Sequence, residues 1–329
     1  DFPTSAEQAR ALFRPAEPVA LDGVIALDQE TLQRLVQVLG PLQVDGKTIT
    51  AETVVPYIRS SWAPAGGTWT PEEWQQRKEF MGVVAAALLQ RLQGEGDRVD
   101  WFALARVVQD LLEEKHLLVY LPQPPEVAAV LAQRGWDGSV RPCQQDCLLV
   151  VDSNVGYNKV NPHVRQEVTY QVDLTMEPAL VTVTLHYTHT GRADGSPCRP
   201  RVYVAPRYEE MMEGCYWDYL RLYVPAGSEL RGGETPLIPV EEIWSGETLG
   251  SLPTVEAPEA GRQVFSTAQV LAPGETRTLL FSYALPSAVR YEDGQWHYRL
   301  LLQKQPGTKG SRVTVVLKLP DQAEATSCR

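Results

Sequence analysis

The sequence predicts an α/β domain over residues 1–152 followed by an all-β, antiparallel, immunoglobulin-like sandwich over residues 153–329. Two observations carry this reading. In the first half, apolar residues recur at helical spacing between short apolar strands. After Asp152 the apolar period changes to two and stays there to the end. A chain of 329 residues also exceeds what one hydrophobic core ordinarily serves.

The elements follow in order. Thr4-Ser5-Ala6-Glu7 has the form of a helix start. Gly23-Val24-Ile25-Ala26-Leu27 is a short apolar strand, and Asp28 then caps a helix with Leu32, Leu35, Val36 and Leu39 on one face. Gly40-Pro41 stops it. Thr50 is expected to cap a short helix reaching about Ser60, kinked or shortened by Pro56. Thr70-Pro71-Glu72-Glu73 reads as a capping box with proline at the first helical position, and opens a long helix to about Gln93. Asp100 opens another helix through Glu114, and His116–Tyr120 is a buried strand. Pro124-Pro125 starts a helix that Gly135 stops. Leu148–Asp152 is a continuous apolar run, as in a strand covered on both faces. The alternating strands then begin: Val168, Tyr170, Val172 and Leu174; Val181, Val183, Leu185 and Tyr187; Leu220, Leu222 and Val224; Leu279, Phe281, Tyr283 and Leu285; Val313, Val315, Leu317 and Leu319.

Composition narrows function. The formal net charge of -11 repels phosphodiester backbones and anionic lipid, which argues against nucleic acid and against direct membrane attachment of this segment. No apolar run is long enough to cross a bilayer, and no signal peptide is visible in a chain that opens at Asp1. The five cysteines form no zinc pattern. Cys198 and Cys215 flank a loop; spacing leaves a bridge suited to an oxidising compartment and two separate thiols equally open.

Arg77 is the most informative single residue. With about 100° per residue, it stacks on Met81, Val84 and Leu88, in the stripe expected to face the core. A guanidinium there must meet an anion, either a carboxylate of this protein or a ligand phosphate. Arg59 ends the preceding short helix, where it can complement the helix dipole. Asp152-Ser153-Asn154-Val155-Gly156-Tyr157-Asn158-Lys159 follows an apolar strand directly. Ligands of α/β sheets gather at such strand ends, so Asp152 is a candidate metal ligand and Asn158 and Lys159 candidate phosphate contacts. The alternative is an Asn/Gly turn with Lys159 in solvent. His186 and His189 point to opposite faces of a strand and cannot share a metal. Tyr216-Trp217-Asp218-Tyr219 is a possible sugar-stacking cluster or plain packing. No hydrolase elbow, P-loop, zincin or dinucleotide motif is present.

Several segments resemble the bacterial domain-of-unknown-function family 4012. They are Asp1–Ala6, Asp22–Asp28, Leu39-Gly40-Pro41, Asn154–Lys159, Tyr216–Pro225 and Gln303–Gly307. The resemblance implies a membrane-anchored envelope protein, with an N-terminal transmembrane helix and further α/β sequence upstream. The first domain is in turn distantly similar to the LytR-CpsA-Psr transferases, which move glycopolymers from polyprenyl-pyrophosphate carriers using arginines and magnesium. That similarity runs over Val24–Val44, Tyr57-Ile58-Arg59-Ser60 and Arg77-Lys78. It implies pyrophosphate contacts at Arg77 and Arg59, a Mg2+ ion, and a polyprenyl-pyrophosphate or cell-wall glycan as partner. Ser60 and Ser61 stand where a second arginine is usual, and Ala63–Gly67 replaces an acidic-then-basic run. This segment alone is therefore expected to be inactive as a transferase. The competing expectation is a non-catalytic envelope module acting through its sandwich.

Overall fold

The computed structural model describes residues 1–13, 21–62, 70, 72, 78–94, 99–193, 195–200 and 207–326. Mixed helices and mostly antiparallel strands divide into two compact units. One comprises Asp1–Arg141 with Pro206–Glu209 and Pro306–Thr308, and the other the remainder.

The first unit is helix-rich. Its helices are α1 (Phe2–Phe13), α2 (Gln29–Leu39), α3 (Val54–Ser60), α4 (Glu79–Gly94), α5 (Trp101–Glu113) and α6 (Pro125–Arg134). Strand β1 (Val24–Leu27) pairs antiparallel with β4 (Leu117–Tyr120), and β2 (Leu42–Val44) with β3 (Lys47–Ile49). Asp28 caps α2 by accepting from the Thr31 N–H at 3.0 Å, and Asp100 caps α5 by accepting from Ala103. Helix α3 begins at Val54 rather than at Thr50, because Thr50 and Thr53 spend their side chains on a turn. Pro56 thus falls in the first helical turn, where its missing N–H has no intrahelical partner to lose. The core gathers Val36, Leu39, Leu42, Val44, Ile49, Val54, Ile58, Val84, Leu88 and Leu104. Val84 and Leu88 face inward as their spacing predicts, while Met81, on the same stripe, is 54% exposed.

The second unit contains two five-stranded sheets around one core. The first sheet has the order β10 (Thr254–Glu259), β11 (Arg262–Leu271), β8 (Tyr216–Pro225), β5 (Asp146–Asn154), β15 (Leu300–Gln303). The second has the order β16 (Arg312–Lys318), β6 (Val164–Asp173), β7 (Ala179–His189), β12 (Thr276–Leu285), β9 (Glu229–Glu234). Among the described residues, only β15 with β5 and β16 with β6 run parallel. Alternation works as the period-two pattern requires. Val168, Tyr170 and Val172 on β6, Val181 to Tyr187 on β7, and Leu279 to Leu285 on β12 meet Leu220, Leu222, Val224 and Phe265 from the other sheet. A hairpin of β13 (Val289–Glu292) and β14 (Gln295–Tyr298) stands beside them, and a short helix α7 (Tyr208–Met212), whose Tyr208 and Glu209 belong to the first unit, precedes β8.

One strand lies elsewhere than expected. Leu148–Asp152 is not the end of an α/β sheet in the first domain. It is part of β5, antiparallel to β8 inside the second unit. Its unbroken apolar run reflects burial of both Leu148 and Leu149 on opposite faces.

Two disulfides lie in the second unit. Cys198–Cys215 closes the loop suspected from the sequence, and packs with Ile238 and Val270. Cys143–Cys147, four residues apart, was not foreseen. Among the described residues no helix is long and apolar enough to cross a membrane.

Candidate functional site

In the first unit, Arg59 sits in the last turn of α3, held there by the burial of Val54 and Ile58 on the opposite face. Its guanidinium carbon lies 5.6 Å from the centre of the Tyr208 ring, a cation–π distance. Trp62 stands edge-on to the same ring at 6.2 Å. The Arg59 Nε is buried and has no hydrogen-bond partner among the described residues. A buried donor left in this state costs on the order of 1–3 kcal/mol, so the niche has an outstanding demand for an acceptor. Arg34, on α2, makes no such demand, because Glu30 and Glu114 hold it at 2.8 and 2.7 Å. Arg77 lies outside the described residues. Near the α2 cap, His116 Nδ1 meets Asp28 Oδ2 at 2.6 Å, which ties β4 to the start of α2.

In the second unit, the segment 152–159 is built as a rigid turn. Asn154 Nδ2 donates to Asn158 Oδ1 and to Asn161 Oδ1, each at 2.8 Å. The Gly156 N–H donates to Asn154 Oδ1, and Asn158 Nδ2 donates to the Cys215 carbonyl at 2.8 Å. Asn158 is therefore committed to the turn on both sides of its amide, and the phosphate role read for it is replaced by a scaffolding one. Lys159 is exposed. Val155 and Tyr157 also face outward, Tyr157 with a left-handed backbone at φ 55°.

Asp152 does not suit a cation. Tyr187 donates to its Oδ1 at 2.6 Å and Gln166 to its Oδ2 at 2.8 Å, so protons already point at both oxygens. Gln305 brackets the Asp152 backbone, accepting from its N–H and donating to its carbonyl. A magnesium ion needs several converging oxygens, and here the neighbours are donors. The metal role read for Asp152 is corrected to a core hydrogen-bond acceptor. Burial pushes its pKa up to about 6, against the opposing pull of the Tyr187 hydroxyl.

Its neighbour Asp218 was missed in the sequence. It is buried on β8, accepting from the Ser153 N–H at 2.9 Å and Gln269 Nε2 at 3.2 Å. Burial and the adjacent Asp152 charge hold the Asp218 carboxyl well above the usual carboxylate range. A third buried acid, Asp146, accepts from Tyr170 at 2.7 Å and Tyr298 at 2.6 Å, with Tyr283 behind Tyr170 at 2.9 Å. Burial raises its pKa also. Asp152 and Asp146 bind the two sheets together from within, whereas Asp218 ties strands of one sheet.

The aromatic cluster on β8 is mostly packing. Tyr216 and Tyr223 are buried, and the Trp217 Nε1–H donates to the Glu242 carbonyl at 2.9 Å. Tyr219 is exposed, with its hydroxyl on Glu256. A more open aromatic pair lies on the β13–β14 hairpin, where Tyr291 and Trp296, 62% and 69% exposed, meet at 5.1 Å. Nothing in the local sequence distinguished that pair. Tyr208 likewise gave no signal, since its relation to Arg59 is made only by folding.

No curated protein and no solved structure matches the chain. The model of the family described as "Protein of unknown function (DUF4012)" matches residues 1–62, so the opening of the first unit, through α3 and Arg59, is similar to that family.

Proposed function

We propose that the chain is the extracytoplasmic part of a cell-envelope protein whose first unit binds, without transferring, a polyprenyl-pyrophosphate-linked glycan. The observation that carries this reading is Arg59. Its guanidinium rests on Tyr208 and keeps a buried Nε in need of an acceptor. A phosphate oxygen supplies that acceptor together with a compensating charge. The distant resemblance of the first domain to LytR-CpsA-Psr transferases, over Val24–Val44, Tyr57–Ser60 and Arg77-Lys78, implies the same ligand class. Anchoring by an N-terminal transmembrane helix comes from the likeness of residues 1–62 to family 4012. Two disulfides suit an oxidising compartment outside the cytoplasm. Binding without transfer fits Ser60 and Ser61 standing where the transferases usually have a second arginine.

A second reading places binding on the second unit, as an immunoglobulin-like sandwich that docks glycan through Tyr291 and Trp296. Their exposure favours it. One experiment separates the two. Binding of a polyprenyl pyrophosphate in detergent micelles is measured with magnesium for the wild-type chain, Arg59→Ala and Trp296→Ala. Loss of at least about tenfold in affinity on Arg59→Ala alone is expected. Unchanged affinity for Arg59→Ala rejects the first reading, and loss confined to Trp296→Ala selects the second.

A further inference from the structure

Strand β16 closes its sheet on one side only. It pairs with β6 from Arg312↔Glu167 to Lys318↔Asp173, and no described strand pairs with its outer edge. Every residue of β16 is exposed, including Val313 and Val315 at 40% and 41% and Leu317 at 38%. These three stand beside Val168, Tyr170 and Val172, which belong to the core. The apolar row of β16 is thus the open margin of that core. Soluble proteins seldom leave an apolar edge strand bare, and commonly blunt such edges with charge. The cations of β16 do not serve that purpose. Lys318 Nζ is bound sideways to Asp173 Oδ2 at 2.8 Å, and Arg312 lies in register with Glu167.

We propose that β16 pairs antiparallel with the same strand of a second copy of this chain, about a two-fold axis through Val315. The strand is self-complementary in this register. Val315 faces Val315 of the partner subunit, Val313 faces Leu317 of the partner subunit, and Thr314 faces Val316 of the partner subunit. Odd positions meet odd positions, so the apolar rows of both copies merge on the core side. At each end Arg312 faces Lys318 of the partner subunit. That like-charged pair is flanked by the acids of the two β6 strands, which leaves the cross-strand row neutral. The order Arg-Val-Thr-Val-Val-Leu-Lys is near-palindromic about Val315. Two five-stranded sheets would become one continuous sheet. A single strand pair buries less than the roughly 1,200 Å² typical of permanent complexes, so the dimer is expected to be weak, with Kd on the order of 10–100 µM.

Sedimentation equilibrium of the full chain, from about 1 to about 500 µM, tests this. A concentration-dependent monomer–dimer equilibrium is expected. Val315→Lys, which sets two ammonium groups against each other on the axis, should weaken it at least about tenfold with the melting temperature unchanged. Leu252→Lys, at another exposed apolar site, should leave it intact. Should Val315→Lys fail to fold, Val313→Lys serves in its place. A chain monomeric across the whole range overturns the proposal. So does a dimer insensitive to the strand substitutions, or one equally weakened by Leu252→Lys.

Discussion

At the scale of single residues, Gly156 shows why the 152–159 turn has its composition. A Cβ at this position would lie 2.8 Å from the Trp217 ring, 3.1 Å from Asn158 Nδ2 and 3.2 Å from Asn154 Oδ1. Trp217 cannot retreat easily, because its Nε1–H is bonded to the Glu242 carbonyl. Gly156→Ala should therefore cost about 1–3 kcal/mol by overpacking, read as a lower urea midpoint with unchanged m-value. Val155→Ala next door, exposed, should stay within about 0.5 kcal/mol. The same residues show what a sequence withholds at this scale. Asn158 has the chemistry of a phosphate contact and of a turn former alike. The choice is made by the Cys215 carbonyl, far along the chain. Arg59 could be read as a helix-terminal cation, but its ring partner Tyr208 comes from a distant segment. Contacts made by folding are absent from any local pattern.

At the scale of elements, Asp28 performs two tasks, and the structure separates them. One oxygen caps α2 at the Thr31 N–H, and the other holds His116 Nδ1 at 2.6 Å. Asp28→Ala removes both and should destabilise the chain by about 2 kcal/mol in urea unfolding. Asp28→Asn keeps the capping carbonyl and should recover roughly half of that loss. The cap and the α2 stripe were legible because both are local: a side chain reaching three residues, and an apolar residue every turn. The alternating strands of the second unit were legible for the same reason. The β2–β3 hairpin was not read, although Asp45-Gly46 carries the signal, both residues having positive φ (48° and 72°) as a type I′ turn requires. The placement of β5 was misread because an apolar run between two covered faces looks the same in either unit. Helix α3 was started too early because a Thr50–Thr53 turn imitates a cap.

At the scale of the whole molecule, the acids enclosed by the second unit couple its stability to pH. Asp152 has a folded pKa of about 6 against an ordinary 3.8, so the folded chain holds this proton more tightly than the unfolded chain does. Its contribution is fully present below pH 3.8 and is lost as pH rises through about 6. Asp218 shifts in the same direction, and its surroundings suit a protonated acid. Gln269 Oε1 is buried beside it with no partner among the described residues, and turning that amide over would let Oε1 accept the Asp218 proton. Two other groups run the opposite way. Asp173, half-buried beside Lys318 and lowered to about 2, loses its contribution only as pH falls through that value, outside the relevant window. His189 is lowered by burial, its Nδ1 accepting from the Gly191 N–H, and its contribution fades as pH falls below the ordinary histidine range. The pH profile of the wild-type chain mixes these signs, so the informative quantity is the difference from a variant that cannot ionise at position 152. Asp152→Asn carries a constant offset from its altered bonds with Tyr187 and Gln166; it also removes the charge that helps to raise Asp218, so the pH-dependent part of the difference reports the two neighbouring acids together. Between pH 4 and pH 8, the stability of Asp152→Asn should rise relative to wild type by on the order of 2 kcal/mol, with the midpoint of the change near roughly pH 5 and most of it complete by about pH 6. Urea unfolding of both proteins at unit pH steps measures it. A difference that stays flat across that range would show that Asp152 is ionised in the folded chain as readily as in the unfolded one, and that the enclosed acids do not set the pH response of the fold.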